Sequence, residues 1–279
     1  MQQINFKKER DLGQTLEAAS IFIKQHFFNI LKPTLIVVII PLVLGALLMA
    51  SGMKEMFGSQ QYINSTDAFF NYMINMLSSY GLIMIAYVLG YVVIIGYIKL
   101  YASGVENITL NDLLPIVKSK AIFLTISSIA LVIVIYIGLI LCVLPGIYLS
   151  VVLVHFYAVA IIEDAGFGES WKRCFYLIKD NWWSTFGLYF VTYLISFGIM
   201  ILAYIPMYAI MGMQMFKASS ENDPTAMFES MSNMAYFLPI YYLIGLVITI
   251  LWAVVSTLRY YSLVENKDGS GEKELINQL

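Results

Sequence analysis

Long apolar runs, separated by short charged segments, dominate the pattern of this chain. A helix needs about 20 apolar residues to cross the hydrocarbon core of a membrane. Six runs are close to this length, and we predict spans at residues 33–53, 74–98, 121–144, 145–162, 182–212 and 236–258. The predicted fold class is therefore an all-α integral membrane protein, with six transmembrane helices in a membrane domain over residues 33–264.

The third and fourth runs form one uncharged stretch of about 40 residues, which is too long for a single crossing. Leu144, Pro145 and Gly146 lie in its middle. Proline cannot continue the helix before it, and glycine permits a sharp reversal. We therefore predict a tight helical hairpin that turns at these three residues.

The composition excludes several classes of protein. Of the 279 residues, 60% are apolar and 12% are charged, and the mean hydropathy is +0.78, which excludes a water-soluble enzyme. Two histidines and two cysteines are too few for a Cys/His zinc cluster, a four-thiolate iron–sulfur site or a disulfide scaffold. A net charge of −2 excludes nucleic-acid binding by bulk positive charge. We expect no metal and no cofactor.

The basic residues lie mostly on one side of the predicted spans. Fourteen of the 16 lysines and arginines lie on one side: before the first span, between the second and third, between the fourth and fifth, or after the sixth. The other side has only Lys54 and Lys217. The positive-inside rule places both termini in the cytoplasm, and we expect a bacterial inner membrane. Residues 1–32 are then a cytoplasmic amphipathic segment without a cleavable signal, and residues 265–279 are a mobile cytoplasmic tail.

Two of the predicted cytoplasmic segments resemble each other. Aligned in register, Gly13 meets Gly168, Lys24 meets Lys179, and two aromatic pairs coincide. A third segment from Leu110 matches loosely, so we predict three repeated units of an amphipathic helix and a hairpin, at about residues 1–99, 100–162 and 163–264. Such helices lie flat at the membrane interface or pack as connectors against their own bundle, and the pattern leaves both interpretations open.

The most specific motif lies in residues 144–183. It combines a Pro-Gly turn, a span that ends in an acidic pair, an interfacial segment with acidic and basic residues, and an Asn-Trp entry to the next helix. Its positions are Pro145, Gly146, Glu163, Asp164, Gly168, Glu169, Lys172, Arg173, Leu177, Lys179, Asn181 and Trp182. This segment resembles the membrane-domain family associated with glycerophosphoryl diester phosphodiesterases, and related six-helix inner-membrane proteins. The resemblance implies a six-helix membrane domain in which these residues have structural roles.

The chain departs from that family pattern at several positions. Cys174 and Phe175 replace Ser-Trp, Asp180 replaces glycine, and an arginine often found early in the fourth span is absent. The phosphodiesterase of such proteins is a separate barrel, which needs about 250 residues. The polar segments of this chain are far shorter than that, so the catalytic module is absent and we predict that the chain is not an enzyme.

Few titratable groups lie inside the predicted spans. His155 is either a proton-relay or ligand contact or, as we favour, a neutral histidine that is hydrogen-bonded across helices. Glu163 and Asp164 are more typical of a span end with salt bridges than of a cation site. Tyr189 and Tyr193 belong to a polar stripe that we predict to face the bundle interior.

The sequence predicts a non-catalytic, lipid-interacting membrane module or scaffold. The partners would be membrane lipids, anionic ones in particular, and no nucleic acid. The predicted interfacial and headgroup-contacting residues are Lys24, Lys172, Arg173, Lys179, Trp182 and Trp183. The alternatives are a transporter or channel-like protein for a small or lipidic solute and, third, a membrane-embedded lipid-modifying enzyme.

Overall fold

The computed structural model describes residues 4–57, 66–221 and 237–269, and in these ranges the chain is helical and has no β-strand. The described helices are α1 Leu12–Phe57, α2 Thr66–Ala102, α3 Leu110–Leu141, α4 Val143–Leu153, α5 Phe156–Ile162, α6 Phe167–Ile178, α7 Trp182–Glu221 and α8 Leu238–Asp268. Six stretches in these ranges are long and apolar enough to cross a membrane: Leu12–Glu55, Phe69–Ala102, Leu110–Leu141, Val143–Ile162, Trp182–Gln214 and Ile240–Asp268. The prediction of an all-α protein with six such helices is confirmed.

Large apolar side chains point outward from the long helices at helical spacing. On α3, the outward isoleucines are 47% to 81% exposed: Ile122, Ile126, Ile129, Ile133, Ile137 and Ile140. A helix in water buries such a stripe against a core, whereas a helix in lipid can present it to hydrocarbon. The stripe agrees with an integral membrane protein.

The hairpin turns earlier than the sequence predicts. Cys142, with φ −167° and ψ 135°, is the extended residue that separates α3 from α4. Pro145 and Gly146, predicted as the turn, instead lie in the first turns of α4. Proline is tolerated there because the N–H groups of a first helical turn have no partner within the helix.

Other boundaries also differ from the prediction. The amphipathic segment 1–32 and the first span are not separate, because α1 runs without a break from Leu12 through Pro33. The predicted fourth span consists of α4 and α5, with a turn at Val154 and His155. The start of the predicted mobile tail, residues 265–268, is the end of α8, and residues 270–279 lie outside the described residues.

The chain divides into two compact units. Unit 1 comprises Met1–Ile36, Val88–Leu194 and Thr249–Leu279, and unit 2 comprises Val37–Tyr87 and Ile195–Ile248. Fourteen of the 16 lysines and arginines of the sequence belong to unit 1. The core of unit 1 includes these fully buried side chains: Phe22, Ile94, Ile95, Ile98, Phe156, Leu177 and Leu188.

An aromatic cluster holds the N-terminal residues of unit 1 in place. The ring of Phe6, 2% exposed, makes edge contacts with Phe22, Tyr101 and Tyr261 at centroid distances of 5.2 to 5.8 Å. Edge-to-face aromatic pairs contribute about 0.5–1.5 kcal/mol beyond their buried area. The segment before α1 is therefore packed into unit 1.

Within unit 2, the described parts of α1 and α2 approach each other at Gly45. The Ser79 hydroxyl donates a hydrogen bond of 2.8 Å to the Gly45 carbonyl oxygen. A Cβ atom at Gly45 would lie 2.8 Å from the Ile83 side chain and 3.2 Å from the Ser79 carbonyl oxygen, so glycine favours this close approach.

Candidate functional site

The short helix α6 is the most polar helix of unit 1 and begins at a defined cap. The Glu169 carboxylate accepts a hydrogen bond of 3.1 Å from the Gly166 backbone N–H, which is the capping contact expected of a glutamate at this position. Ser170, Cys174 and Leu177 recur every three or four residues and are completely buried. One face of α6 is thus packed into unit 1, and the opposite face is exposed.

Ion pairs attach α6 to the end of α8. Glu163 accepts hydrogen bonds from Arg173 Nε at 2.9 Å and from the Tyr260 hydroxyl at 2.8 Å. Arg173 also pairs with Asp268 through Nη2. Burial by itself lowers the pKa of Arg173, but the hydrogen bonds to Asp268 and Glu163 outweigh it and raise that pKa. Arg173, predicted to contact headgroups, is therefore held by two carboxylates.

The segment between α5 and α6 is fixed in the same way. Lys99 Nζ donates a hydrogen bond of 2.7 Å to the Ile161 carbonyl oxygen at the end of α5, where cations are favoured. Lys120 forms an ion pair with Asp164, and this hydrogen bond and charge lower the pKa of Asp164. These contacts and the Glu163 pair agree with the salt-bridging interpretation of the acidic pair. Asp164 has a φ of 57°, the left-handed conformation that commonly ends helices.

Asp180 ends α6 in the same conformation. Its φ is 72°, and its carboxylate accepts a bond of 3.0 Å from Lys267 Nζ. This is the position at which the resembled family has glycine, the residue that adopts a left-handed φ most easily. The Asn181 side chain follows and donates a hydrogen bond of 3.3 Å to Asn266.

The exposed face of α6 and the first residues after it carry aromatic and basic side chains. We call them the α6 surface, which consists of Lys172 and Tyr176 on α6, Lys179 just after its end and Trp183 at the start of α7. Trp183 is 77% exposed and Tyr176 is 47% exposed. Lys24, predicted as its counterpart, is exposed on α1. Exposed aromatics beside lysines are typical of side chains at the boundary between lipid and water.

Trp182 differs from its neighbour Trp183. Its ring stacks on Phe186 at 5.2 Å and on Tyr148 at 5.9 Å. The buried Trp182 Nε1 has no hydrogen-bond partner among the described residues. The structure therefore places Trp182 inside an aromatic stack, whereas Trp183 contacts Trp182 and Phe186 edge-on, at 4.7 and 6.2 Å, and remains exposed.

The two residues predicted to face the interior with His155 separate in the structure. His155 is completely buried, and its Nε2 lies 2.9 Å from the hydroxyl of Tyr189, which stacks on Trp252. Tyr193, one helical turn further along α7, is instead 55% exposed. The contact of His155 is a hydrogen bond between helices, and its other ring nitrogen, Nδ1, is buried without a partner among the described residues.

Sequence reasoning missed two buried arginines in unit 1. Arg259, 6% exposed, donates hydrogen bonds to Ser184 at 2.6 Å and to Thr185 at 3.0 Å. Arg10, 8% exposed, is tied to α8 because its backbone N–H donates to the Ser262 hydroxyl at 2.9 Å. The one available signal was the position of Arg259 directly after an apolar run, which we interpreted as a span end.

Unit 2 contains an uncharged cavity of about 390 Å³. Tyrosine and methionine side chains provide most of its lining: Met49, Met53, Tyr72, Met76, Tyr80, Tyr87, Tyr204, Met207, Tyr241 and Tyr242. Tyr87 lies close over Gly245, where a larger residue would collide with its hydroxyl. A cavity of this size and polarity suits a small or elongated apolar ligand.

The described residues contain no group of three or more His, Cys, Asp or Glu side chains that could hold a metal ion. No curated protein and no solved structure matches the chain. Residues 18–263, well over half of the chain, match the family described as "Domain of unknown function (DUF7847)". The chain belongs to the DUF7847 family.

Proposed function

We propose that this protein is a non-catalytic, lipid-interacting membrane module, and that the α6 surface contacts anionic lipid headgroups. The observation that carries this proposal is the exposure of Lys172 and Tyr176 on α6, whose opposite face is buried, together with that of Lys179 and Trp183 directly after α6. Aromatic rings favour the interfacial region, and each lysine near an anionic membrane contributes about 1 kcal/mol.

The distribution of charge supports an orientation for this surface. Unit 1, which carries α6, has 14 of the 16 basic residues, and unit 2 has Lys54 and Lys217. By the positive-inside rule, the basic ends of unit 1 and both termini lie in the cytoplasm, in the inner membrane of a bacterium. The α6 surface then faces the cytoplasmic leaflet, whose anionic lipids attract lysines.

We extend the same role to the first turns of α1. The exposed Lys24 and the periodic apolar positions from Leu12 match those of α6, although α1 continues into its span whereas α6 ends at Ile178. Three repeated helix-plus-hairpin units, and a relationship to the membrane domain of glycerophosphoryl diester phosphodiesterases, are part of this proposal.

The experiment compares lipid selectivity in two paired-lysine variants. The full chain is placed in nanodiscs with phosphatidylglycerol and phosphatidylcholine, and the lipids that remain bound after detergent extraction are measured by mass spectrometry. We expect Lys172→Gln with Lys179→Gln to reduce the preference for phosphatidylglycerol by about fivefold for each lysine. The matched control is Lys118→Gln with Lys32→Gln, two exposed lysines outside α6. An equal loss in the control, or no loss in the α6 variant, would contradict the proposal.

The cavity of unit 2 favours a second function, the binding and transfer of a small lipidic solute. Its tyrosine hydroxyls offer hydrogen bonds to a polar head, and its thioethers and rings suit an apolar chain. A fluorescent fatty alcohol that binds in the cavity should raise the Tm of the unmodified protein. The substitution Met207→Trp fills the cavity and should abolish this increase. If the alcohol does not raise the Tm of the unmodified protein, this function is excluded.

A further inference from the structure

We propose that the pocket at the N-terminal end of unit 1 binds a singly charged phosphate group, through Arg10 and Lys8. The pocket has a volume of about 350 Å³ and lies between residues before α1 and the first turns of that helix. Arg10, Lys8, Gln14 and Glu17 provide its polar lining. The proposal deepens the lipid interaction proposed above, but it rests on residues outside the α6 surface.

The first argument is the incomplete pairing of the Arg10 guanidinium. Nη1 donates hydrogen bonds to the carbonyl oxygens of Phe6 and Lys8, both at 3.2 Å, and Nη2 donates to the Asn5 carbonyl oxygen. A guanidinium has five N–H groups. At least two of them, including Nε–H, therefore have no acceptor among the described residues. Nε is not among the fully buried unpaired atoms, so this donor is open to the pocket even though Arg10 as a whole is only 8% exposed.

The second argument is the uncompensated charge. No carboxylate in the described ranges forms an ion pair with Arg10, and its three acceptors are neutral carbonyls. A buried charge normally has a partner of opposite charge, because leaving water costs several kcal/mol. Burial also lowers the pKa of Arg10, which a bound anion would reverse.

The third argument comes from the rim of the pocket. Lys8 is exposed, and its ammonium group has no hydrogen-bond or ion-pair partner in the part of the chain that the structure describes. Arg10 and Lys8 supply two positive charges and Glu17 one negative charge, so the lining has a net charge of +1. This sum favours an anion with one negative charge, such as a phosphodiester, over a dianion.

A phosphate oxygen pair matches the remaining donors. Arginine binds phosphate through parallel N–H bonds, and lysine adds a mobile point charge. The volume is in the range of pockets for small ligands, so a phosphate ester fits with its substituents. The phosphate could belong to a lipid headgroup or to a soluble ester, and the experiment distinguishes these sources.

The test uses the full chain in phosphatidylcholine nanodiscs, titrated with dimethyl phosphate and inorganic phosphate. A parallel arm measures phosphatidylglycerol bound to the chain by native mass spectrometry. Lys8→Gln should weaken binding by about three- to fivefold, and Glu17→Gln should strengthen it by a similar factor. Lys118→Gln, an exposed lysine outside the pocket, is the matched control and should leave binding unchanged.

The opposite signs at two exposed positions make the test independent of folding, because a merely structural effect would not tighten binding. Binding of dimethyl phosphate without phosphatidylglycerol assigns the pocket to soluble esters, binding of phosphatidylglycerol alone assigns it to lipid, and binding of both assigns it to the phosphodiester group of either source. Tighter binding of inorganic phosphate than of dimethyl phosphate would overturn the preference for a singly charged group. Binding of neither, or binding that Lys8→Gln and Glu17→Gln leave unchanged, would overturn the proposal. The α6 surface does not include Arg10, Lys8 or Glu17. A negative result in the lipid-selectivity experiment on the α6 surface would therefore not contradict the phosphate site proposed here.

Discussion

Individual polar residues in the long helices are satisfied by their own backbone. Thr34 donates to the Ile30 carbonyl oxygen at 2.6 Å, and Thr257 donates to the Ala253 carbonyl oxygen at 2.6 Å. Hydroxyls that bond one turn back can be buried in an apolar helix without a cross-helix partner. Some charged groups are instead held by partners that are remote in the sequence, and these residues mark contacts between distant parts of the chain.

Arg173 is one such residue, and its loss should destabilise unit 1. Arg173→Gln leaves the Glu163 and Asp268 carboxylates, 27% and 31% exposed, without their cation. We expect a loss of about 1–3 kcal/mol, measured as a lower Tm in detergent. The adjacent and exposed Lys172→Gln should change stability by less than about 0.5 kcal/mol. Equal effects of the two substitutions would show that the ion pairs contribute nothing.

The two cysteines should react very differently with maleimide. Cys174 is completely buried, and burial together with the charge of Glu163 raises its pKa to about 12, whereas Cys142 is exposed. Because the thiolate is the reactive form, Cys174 in a Cys142→Ser protein should stay unlabelled near pH 7 and still at about pH 9. It should label once the protein is unfolded in detergent. The Cys174→Ser protein, which keeps Cys142, is the control, and comparable labelling rates would refute this prediction.

Among the helices, the α3–α4 hairpin depends most on a close approach. Gly146 lies so near α3 that a Cβ atom would sit 2.7 Å from the Leu139 backbone nitrogen and closer still to its side chain. A Cβ at Gly138 would likewise lie 3.1 Å from the Gly146 Cα. The facing glycines allow a turn of a single extended residue, Cys142.

Gly146→Ala should therefore force the two helices apart. We expect a cost of about 1–3 kcal/mol, since backbone atoms cannot move aside as a flexible side chain can. Gly198→Ala is the matched control, because a Cβ there meets nothing within 4 Å. Alanine is a better helix former than glycine, so the control should be neutral or stabilising by up to about 1 kcal/mol. A Gly146→Ala protein with an unchanged Tm would contradict the close approach.

For the whole molecule, the features set by local sequence were predictable and those set by distant contacts were not. Hydropathy is a local property, so the six apolar helices follow from it. The position of the hairpin was misjudged because proline was taken as a helix end, although it also fits a first helical turn. The buried Arg10 is bonded to Ser262, and the buried Arg259 is bonded to Thr185. Each partner is remote in the sequence, so local patterns do not reveal it. The spacing of Tyr189 and Tyr193 does not determine how α7 is rotated against its neighbours.

The orientation of the molecule in the membrane can be tested at two exposed positions. Lys118 on α3 belongs to basic unit 1, and Asp67 at the start of α2 belongs to unit 2. In intact cells that express the Cys142→Ser, Cys174→Ser protein, we expect an impermeant maleimide to label Asp67→Cys at once. Lys118→Cys should label only after the inner membrane is permeabilised, because the positive-inside rule keeps the basic side in the cytoplasm.

A charge variant shows whether the basic residues cause this orientation. Lys118 and Lys120 lie within one turn of each other before the apolar part of α3. The variant moves two positive charges to the other side: Lys118→Gln and Lys120→Gln remove two, and two lysines are added beside Asp67. We expect this variant to increase the share of inverted molecules. A Lys172→Cys substitution reports them, because it labels from the outside only in inverted molecules. The same protein with two glutamates added beside Asp67 is the control, since acidic residues have little effect on orientation. Labelling of Lys118→Cys in intact cells would place the basic side outside, and with it the α6 surface that we propose to contact cytoplasmic lipids.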